Sequence, residues 1–300
     1  MKYYLLLLAC CFWFARAAAQ GADHLLPSGN DLIHVKVFGK GAPLLVINGG
    51  PGMSCEGFVA LAEKLSAQNQ VFLYDQRGTG QSRLAKVDSS TVTIALMVQD
   101  IETIRKHFKI KSWTVFGQSF GGMLASFYAA TYPQRTRGLI LSASGGVDMD
   151  LFSSLNITAR LTATERDSLA FWNARIAAGD TSFHARLQRG RFLAPAYLYD
   201  KSYVPVIAQR LTQGNAAINA LVFQDMRRIN FDCKPALRNY QKPVLILQGT
   251  DDIIDIKIAE KAHYLLQQSS LVLLPQCGHY GWLDQPALYY KSIGDFLKKV

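Results

Sequence analysis

Ser119, Asp252 and His279 stand, in that chain order, among the residues of this 300-residue sequence that could act together as nucleophile, orienting acid and base. Ser119 lies in TVFGQSFGG (114–122), where an apolar run gives way to Gly117, Gly121 and Gly122. Glycines clustered there mean that the chain turns sharply or that another backbone comes close. An apolar strand-like run precedes the serine and a helical pattern follows it. In that setting G-x-S-x-G reads as a nucleophile elbow, with the serine oxygen held at the carboxyl edge of a sheet. The free amides at the start of the next helix favour negative charge developing beside it.

A serine hydroxyl is a weak nucleophile until a base takes its proton, and the base needs an acid to orient it. Three histidines follow Ser119. His184 falls in a helical region and His263 inside a helical pattern. His279 follows the apolar run 271–276 directly, with Gly278 freeing the backbone, and is the candidate base. The acid is expected in the loop after the preceding strand, LILQGTDDIID, where Asp252 is favoured and Asp251 and Asp255 are the alternatives. For the oxyanion, the amide of Phe120 supplies one donor. The loop INGGPGMS (47–54) offers the second, at Gly50. The sequence has neither G-x-G-x-x-G nor G-x-x-x-x-G-K-[ST], and no His, Cys or Glu cluster at metal-ligand spacing. No cofactor and no metal are expected.

These residues need a scaffold. Near-continuous apolar runs at 43–49, 71–76, 113–117, 138–144, 243–249 and 271–276 read as strands buried on both faces, and 32–39 alternates like a half-exposed one. Helical patterns at 93–109, 122–132 and 287–299 lie between or after them. The expectation is an α/β fold with a mostly parallel central sheet flanked by helices. From about residue 147 to 239 the pattern is helical without strand runs. The chain therefore divides into a core, 20–146 and 240–300, and a helical cap insertion, 147–239, able to roof a site at one end of the sheet.

The formal charge of +10 comes from scattered residues, with no basic run longer than pairs such as Arg227-Arg228. A solvated basic surface follows rather than a nucleic-acid groove, and the charge says little more about function; it is the acyl-transfer chemistry expected at Ser119 that makes a small peptide or ester substrate the expected partner. Residues 1–19 combine Lys2, an apolar stretch from Tyr3 to Phe14 and small residues at Ala17, Ala18 and Ala19. That is the layout of a secretory signal peptide, and the stretch is short of the roughly 20 residues that span a bilayer. Export to a periplasmic or extracellular space is expected. A hydrophobic N-terminal helix that stays attached and a lipoprotein-type cleavage at Cys10 are the alternatives. Cys55, Cys233 and Cys277 would remain, allowing at most one disulfide, with buried thiols the expected state.

NGGPG (48–52), DQRGTGQS (75–82) and GQSFGG (117–122), with GTDD and GHYGWLDQP, resemble the α/β-hydrolase superfamily and, within it, the proline iminopeptidase family of serine peptidases. The similarity spans about residues 30 to 300. It implies an eight-stranded sheet, a helical cap, a Ser119–Asp252–His279 triad, and release of N-terminal residues, often proline, from peptides. Asn48 stands where the family usually has histidine, and Phe120 where it has tryptophan. Family members hold the substrate amine with cap glutamates. Here the insertion has only Glu165, which leaves Asp225 and then Asp232 as candidate amine anchors. Asp75 and Arg77 read as braces for the neighbouring loop. Without an amine anchor the same machinery would hydrolyse a carboxylic ester or lactone. A non-catalytic binding protein on this scaffold is a third and lesser reading.

Overall fold

Every one of the seven strand-like runs becomes a strand in the computed structural model, which describes residues 21–300. The expected leader, 1–19, lies outside the described residues. In chain order the strands are β1 (Ala22–Ser28), β2 (Asp31–Phe38), β3 (Ala42–Ile47), β4 (Asn69–Tyr74), β5 (Trp113–Gln118), β6 (Thr136–Ser142), β7 (Val244–Gly249) and β8 (Ser269–Leu274). They form one eight-stranded sheet in the order β1-β2-β4-β3-β5-β6-β7-β8. The β1–β2 and β2–β4 pairs are antiparallel and the rest parallel.

The sheet is buried from both sides. Along β3, Leu45 and Ile47 join one apolar cluster while Leu44 and Val46 join the other. Along β7, Val244 and Ile246 are divided from Leu245 and Leu247 in the same way. Alternate side chains of a strand point to opposite faces, so a run with no polar break feeds two cores. Helices α1 (Val59–Leu65), α2 (Ile94–His107) and α3 (Phe120–Thr131) connect the first strands. Between β6 and β7 lie only helices: α4 (Leu151–Ser154), α5 (Ala163–Ala177), α6 (Phe183–Leu193), α7 (Val204–Leu211), α8 (Ala216–Arg228) and α9 (Lys234–Leu237), with short 3-10 turns. Then come α10 (Ile256–Leu265), α11 (Gly281–Asp284) and α12 (Pro286–Leu297).

Two features depart from the sequence reading. Residues 22–28 carry no alternating apolar pattern and include Pro27, so nothing in the sequence announces β1. It forms at the sheet edge, where proline loses no ladder bond, and Gly29 (φ 64°) makes the turn into β2. Strand β8 was expected to be buried on both faces. It is the other edge, with Leu274 buried and Leu273 exposed.

Candidate active site

The chain leaves β5 at Gln118 and enters α3 at Phe120, so Ser119 alone makes the turn. Its φ of 55° and ψ of −122° lie in a region that non-glycine residues rarely adopt. The turn is held from three sides. The Ser119 amide donates to the Ser142 carbonyl at 3.0 Å, and the Ser119 carbonyl accepts from Gly122 at 2.9 Å and Gly145 at 3.0 Å. The flanking glycines are steric requirements. A side chain at Gly117 would run into the Gly121 carbonyl, and one at Gly121 into the Ile47 carbonyl of β3.

His279 sits in the loop between β8 and α11, 3% exposed. Its amide donates to the Tyr197 carbonyl at 2.7 Å and its carbonyl accepts from Gln118 Nε2 at 3.2 Å. The ring Nδ1 lies 2.8 Å from Asp252 Oδ1. A carboxylate oxygen accepts, so Nδ1 is the donor in this contact. Asp252 is itself fixed. Its Oδ1 also accepts from the Ile254 amide at 3.2 Å, and its Oδ2 from Gln248 Nε2 at 3.0 Å. Asp251 instead accepts from the Thr250 hydroxyl, and Asp255 caps α10 through the Lys257 amide. Of the three aspartates in that loop, Asp252 is the one that meets the histidine.

Ser119 and His279 both line a cavity of about 470 Å³ between the carboxyl ends of the strands and the helical insertion. Among the described residues no hydrogen bond joins the Ser119 hydroxyl to the His279 ring. Such contacts are often long without substrate and tighten when it binds. Gly50 (φ 73°) and Phe120 line the same cavity, and neither amide donates to an acceptor among the described residues. Apolar side chains from both parts of the chain, including Met53, Met123, Phe152 and Phe223, make up most of the remaining wall.

The candidate amine anchors are elsewhere. Asp225 is 4% exposed, but its carboxylate accepts from the Ile94 amide at the start of α2 (2.8 Å) and from Arg228 (2.6 Å). It is a helix cap, turned from the cavity because this side of α8 packs on α2. Asp232 accepts from the Lys234 amide at 2.9 Å and starts α9. Glu165 closes the capping box of α5 with Thr162. Among the described residues lining the cavity there is no aspartate or glutamate; its charged side chains are Arg210 and Arg227. Asp225→Ala should therefore lower stability by about 1 kcal/mol, as loss of a helix cap does, and leave substrate preference unchanged. Thermal unfolding and parallel assays on amine-bearing and amine-free substrates check this.

Asp75 and Arg77 both hold the loop beside the site. Arg77 pairs with Asp100 through Nε and Nη2, both at 2.8 Å. Asp75 accepts from the Cys55 and Gln81 amides at 2.7 and 2.9 Å and lies 2.8 Å from His34 Nδ1. His34, Cys55 and Asp75 come close enough to share an ion, although no spacing in the sequence announces it. Both His34 ring nitrogens are already engaged, with Asp75 and Asp23, and the Asp75 contact chiefly raises its pKa. Burial pushes the Cys55 thiol far up. Cys55, Cys233 and Cys277 are buried free thiols.

Three supporting residues escaped the sequence reading: Gln118 and Gln248, which hold His279 and Asp252, and Tyr197, whose carbonyl anchors the histidine loop. The glutamines did leave a signal, since a polar side chain ending a buried apolar strand needs a partner.

A family model described as alpha/beta hydrolase fold matches residues 42–286. The proline iminopeptidase of Lactobacillus delbrueckii subsp. lactis is 26% identical, over 93% of this chain and 98% of the relative. The crystal structure of proline iminopeptidase from Mycobacterium smegmatis superposes with a TM-score of 0.71 at 23% identity, covering 93% and 98% of the two chains. A thermophilic esterase from Thermogutta terrifontis superposes with a TM-score of 0.70 at 22% identity, covering 94% and 99%.

Proposed function

The chain belongs to the α/β-hydrolase fold family, and on that premise we propose that it is a serine hydrolase working through an acyl-enzyme on Ser119. The observation that carries this reading is the Asp252–His279 contact at 2.8 Å on the wall of the cavity that Ser119 lines. As the Ser119 oxygen bonds to the substrate carbonyl carbon, its proton passes to His279 Nε2 and the carbonyl π electrons move to oxygen. The Gly50 and Phe120 amides receive that oxyanion. Collapse re-forms the carbonyl and breaks the bond to the leaving amine or alcohol, which departs with the proton from His279. Water repeats the sequence and frees Ser119. Labelling by a fluorophosphonate, mapped to Ser119 by peptide mass, tests the assignment; a folded protein that stays unlabelled would refute it.

Two observations bear on the acyl group. The kinship with proline iminopeptidases supports peptides with a free N-terminus. The cavity wall favours carboxylic esters or amides whose acyl part has no amine, because an ammonium buried beside Arg210 and Arg227 with no carboxylate is costly. The wall reports on this chain's own chemistry, and we take an amine-free acyl group as the better fit. Aryl esters of proline and of cyclopentanecarboxylic acid share shape and leaving group and differ in the ammonium. The cyclopentane ester should have the higher kcat/KM, by roughly tenfold or more. Preference for the prolyl ester would return the aminopeptidase reading.

A further inference from the structure

Arg210 is the feature of the cavity that the acyl-enzyme scheme leaves unexplained. It lies near the end of α7, in the helical insertion, and is 4% exposed. Its guanidinium carbon stands 4.7 Å from the centre of the Phe58 ring. Its stem and Nη1 lie against Gly57, where a side chain would not fit. Nη2 donates to the Gly49 carbonyl at 2.9 Å. Nε and Nη1 are buried without hydrogen-bond partners, and no carboxylate among the described residues pairs with it.

A buried cation without a counter-charge is destabilising in the resting fold. Its position supplies a reason for keeping it. The Gly49 carbonyl and the Gly50 amide are two ends of one planar peptide. That carbonyl also accepts from Asn48 Nδ2 at 3.1 Å, a neutral donor; the charge-assisted bond from Arg210 is the shorter of the two, and it helps fix the plane and polarises the N–H at its other end. The Gly50 N–H is the donor assigned above to the oxyanion. The same segment of the insertion ties the rest of the loop down. Asn219 Nδ2 donates to the Pro51 carbonyl at 2.9 Å, the Asn215 amide to the Gly52 carbonyl at 2.8 Å, and the Ser54 hydroxyl to Gln213 Oε1 at 3.0 Å.

We propose that Arg210 is a positioning residue for the oxyanion hole: it orients and polarises the Gly49–Gly50 peptide, and its unneutralised charge favours the tetrahedral oxyanion over the neutral substrate. The insertion thereby completes the catalytic loop as well as roofing it. The inference rests on the acyl-enzyme reading and on Gly50 as the second donor.

The test compares Arg210→Met, Arg210→Gln and Arg210→Lys with the parent chain on the cyclopentanecarboxylic aryl ester. It measures kcat, KM, thermal midpoint, and the rate of labelling by a fluorophosphonate. Because the charge acts on the oxyanion, Arg210→Met should lower kcat by roughly 10- to 100-fold while KM stays within about threefold. The labelling rate should fall in parallel. Arg210→Lys, which keeps the charge, should recover most of the loss, and Arg210→Gln should not. A Met variant with the parent kcat would overturn the proposal, and so would a change confined to KM. If the Met variant loses its thermal transition, the Lys and Gln variants decide, and equal kcat in those two overturns it. A parent chain that labels at Ser119 and turns over, with unaltered Arg210 variants, sinks this inference alone. A folded parent chain that does neither sinks the acyl-enzyme scheme and this inference with it.

Discussion

Ser119→Ala should reduce turnover on any substrate by on the order of 10⁴- to 10⁶-fold. The substitution removes one oxygen and nothing that holds the turn. The bonds at 119 are made by its backbone amide and carbonyl, and alanine has the same Cβ, so a φ of 55° strains both residues alike. Thermal stability should be unchanged within about 0.5 kcal/mol, since no hydrogen bond of the hydroxyl is lost. The oxyanion donors and the cavity survive, so a residual rate over water is expected. The variant should also bind substrate with near-parent affinity in equilibrium measurements. Turnover above about 1% of the parent, in protein free of parent contamination, would mean that the nucleophile lies elsewhere or that water attacks directly.

The parts of this protein legible in its sequence are those fixed by local chemistry. Apolar runs such as 43–49 and 243–249 cannot be solvated, and they became central strands. The glycines around Ser119 are dictated by backbone contacts within a few ångströms, so the elbow was readable from nine residues. Of the expected trio Ser119, Asp252 and His279, the structure joins Asp252 to His279 at 2.8 Å and sets Ser119 on the same cavity. What escaped depends on which way a helix faces once packed. Asp225 is a candidate amine anchor in the sequence because the insertion carries a single glutamate, Glu165, where the resemblance implies cap acids. Its carboxylate instead accepts from the Ile94 amide at the start of α2, a contact across 131 residues. Arg210 reads as an ordinary basic residue at a helix end. Its burial requires Gly57 to make room and Phe58 to supply a ring face, neither of which is near it in the chain. Strand β8 misled for the opposite reason: its leucines are as apolar as those of β7, but the sheet ends there and leaves Leu273 exposed.

Asp252→Asn should lower kcat by roughly 10³- to 10⁴-fold while Asp251→Asn stays within about threefold of the parent. The two aspartates are adjacent, and only their contacts separate them. Asp252 Oδ1 faces His279 Nδ1 at 2.8 Å; Asp251 faces the Thr250 hydroxyl at the surface. An asparagine at 252 keeps the shape and can keep the bond from Gln248, but it offers an N–H or a neutral oxygen where a carboxylate stood. If the amide nitrogen turns to Nδ1, the ring must hold its proton on Nε2, and the lone pair that should take the serine proton is gone. If the amide oxygen faces Nδ1, the tautomer is kept but the imidazolium formed during attack loses its counter-charge. Either way the loss falls on the chemical step, so kcat should drop with KM little changed. Labelling by a fluorophosphonate should slow in proportion, because it needs the same base. An Asp252→Asn enzyme with parent kcat, or one in which Asp251→Asn is the damaging change, would move the acid to another residue and leave the 2.8 Å contact a structural one.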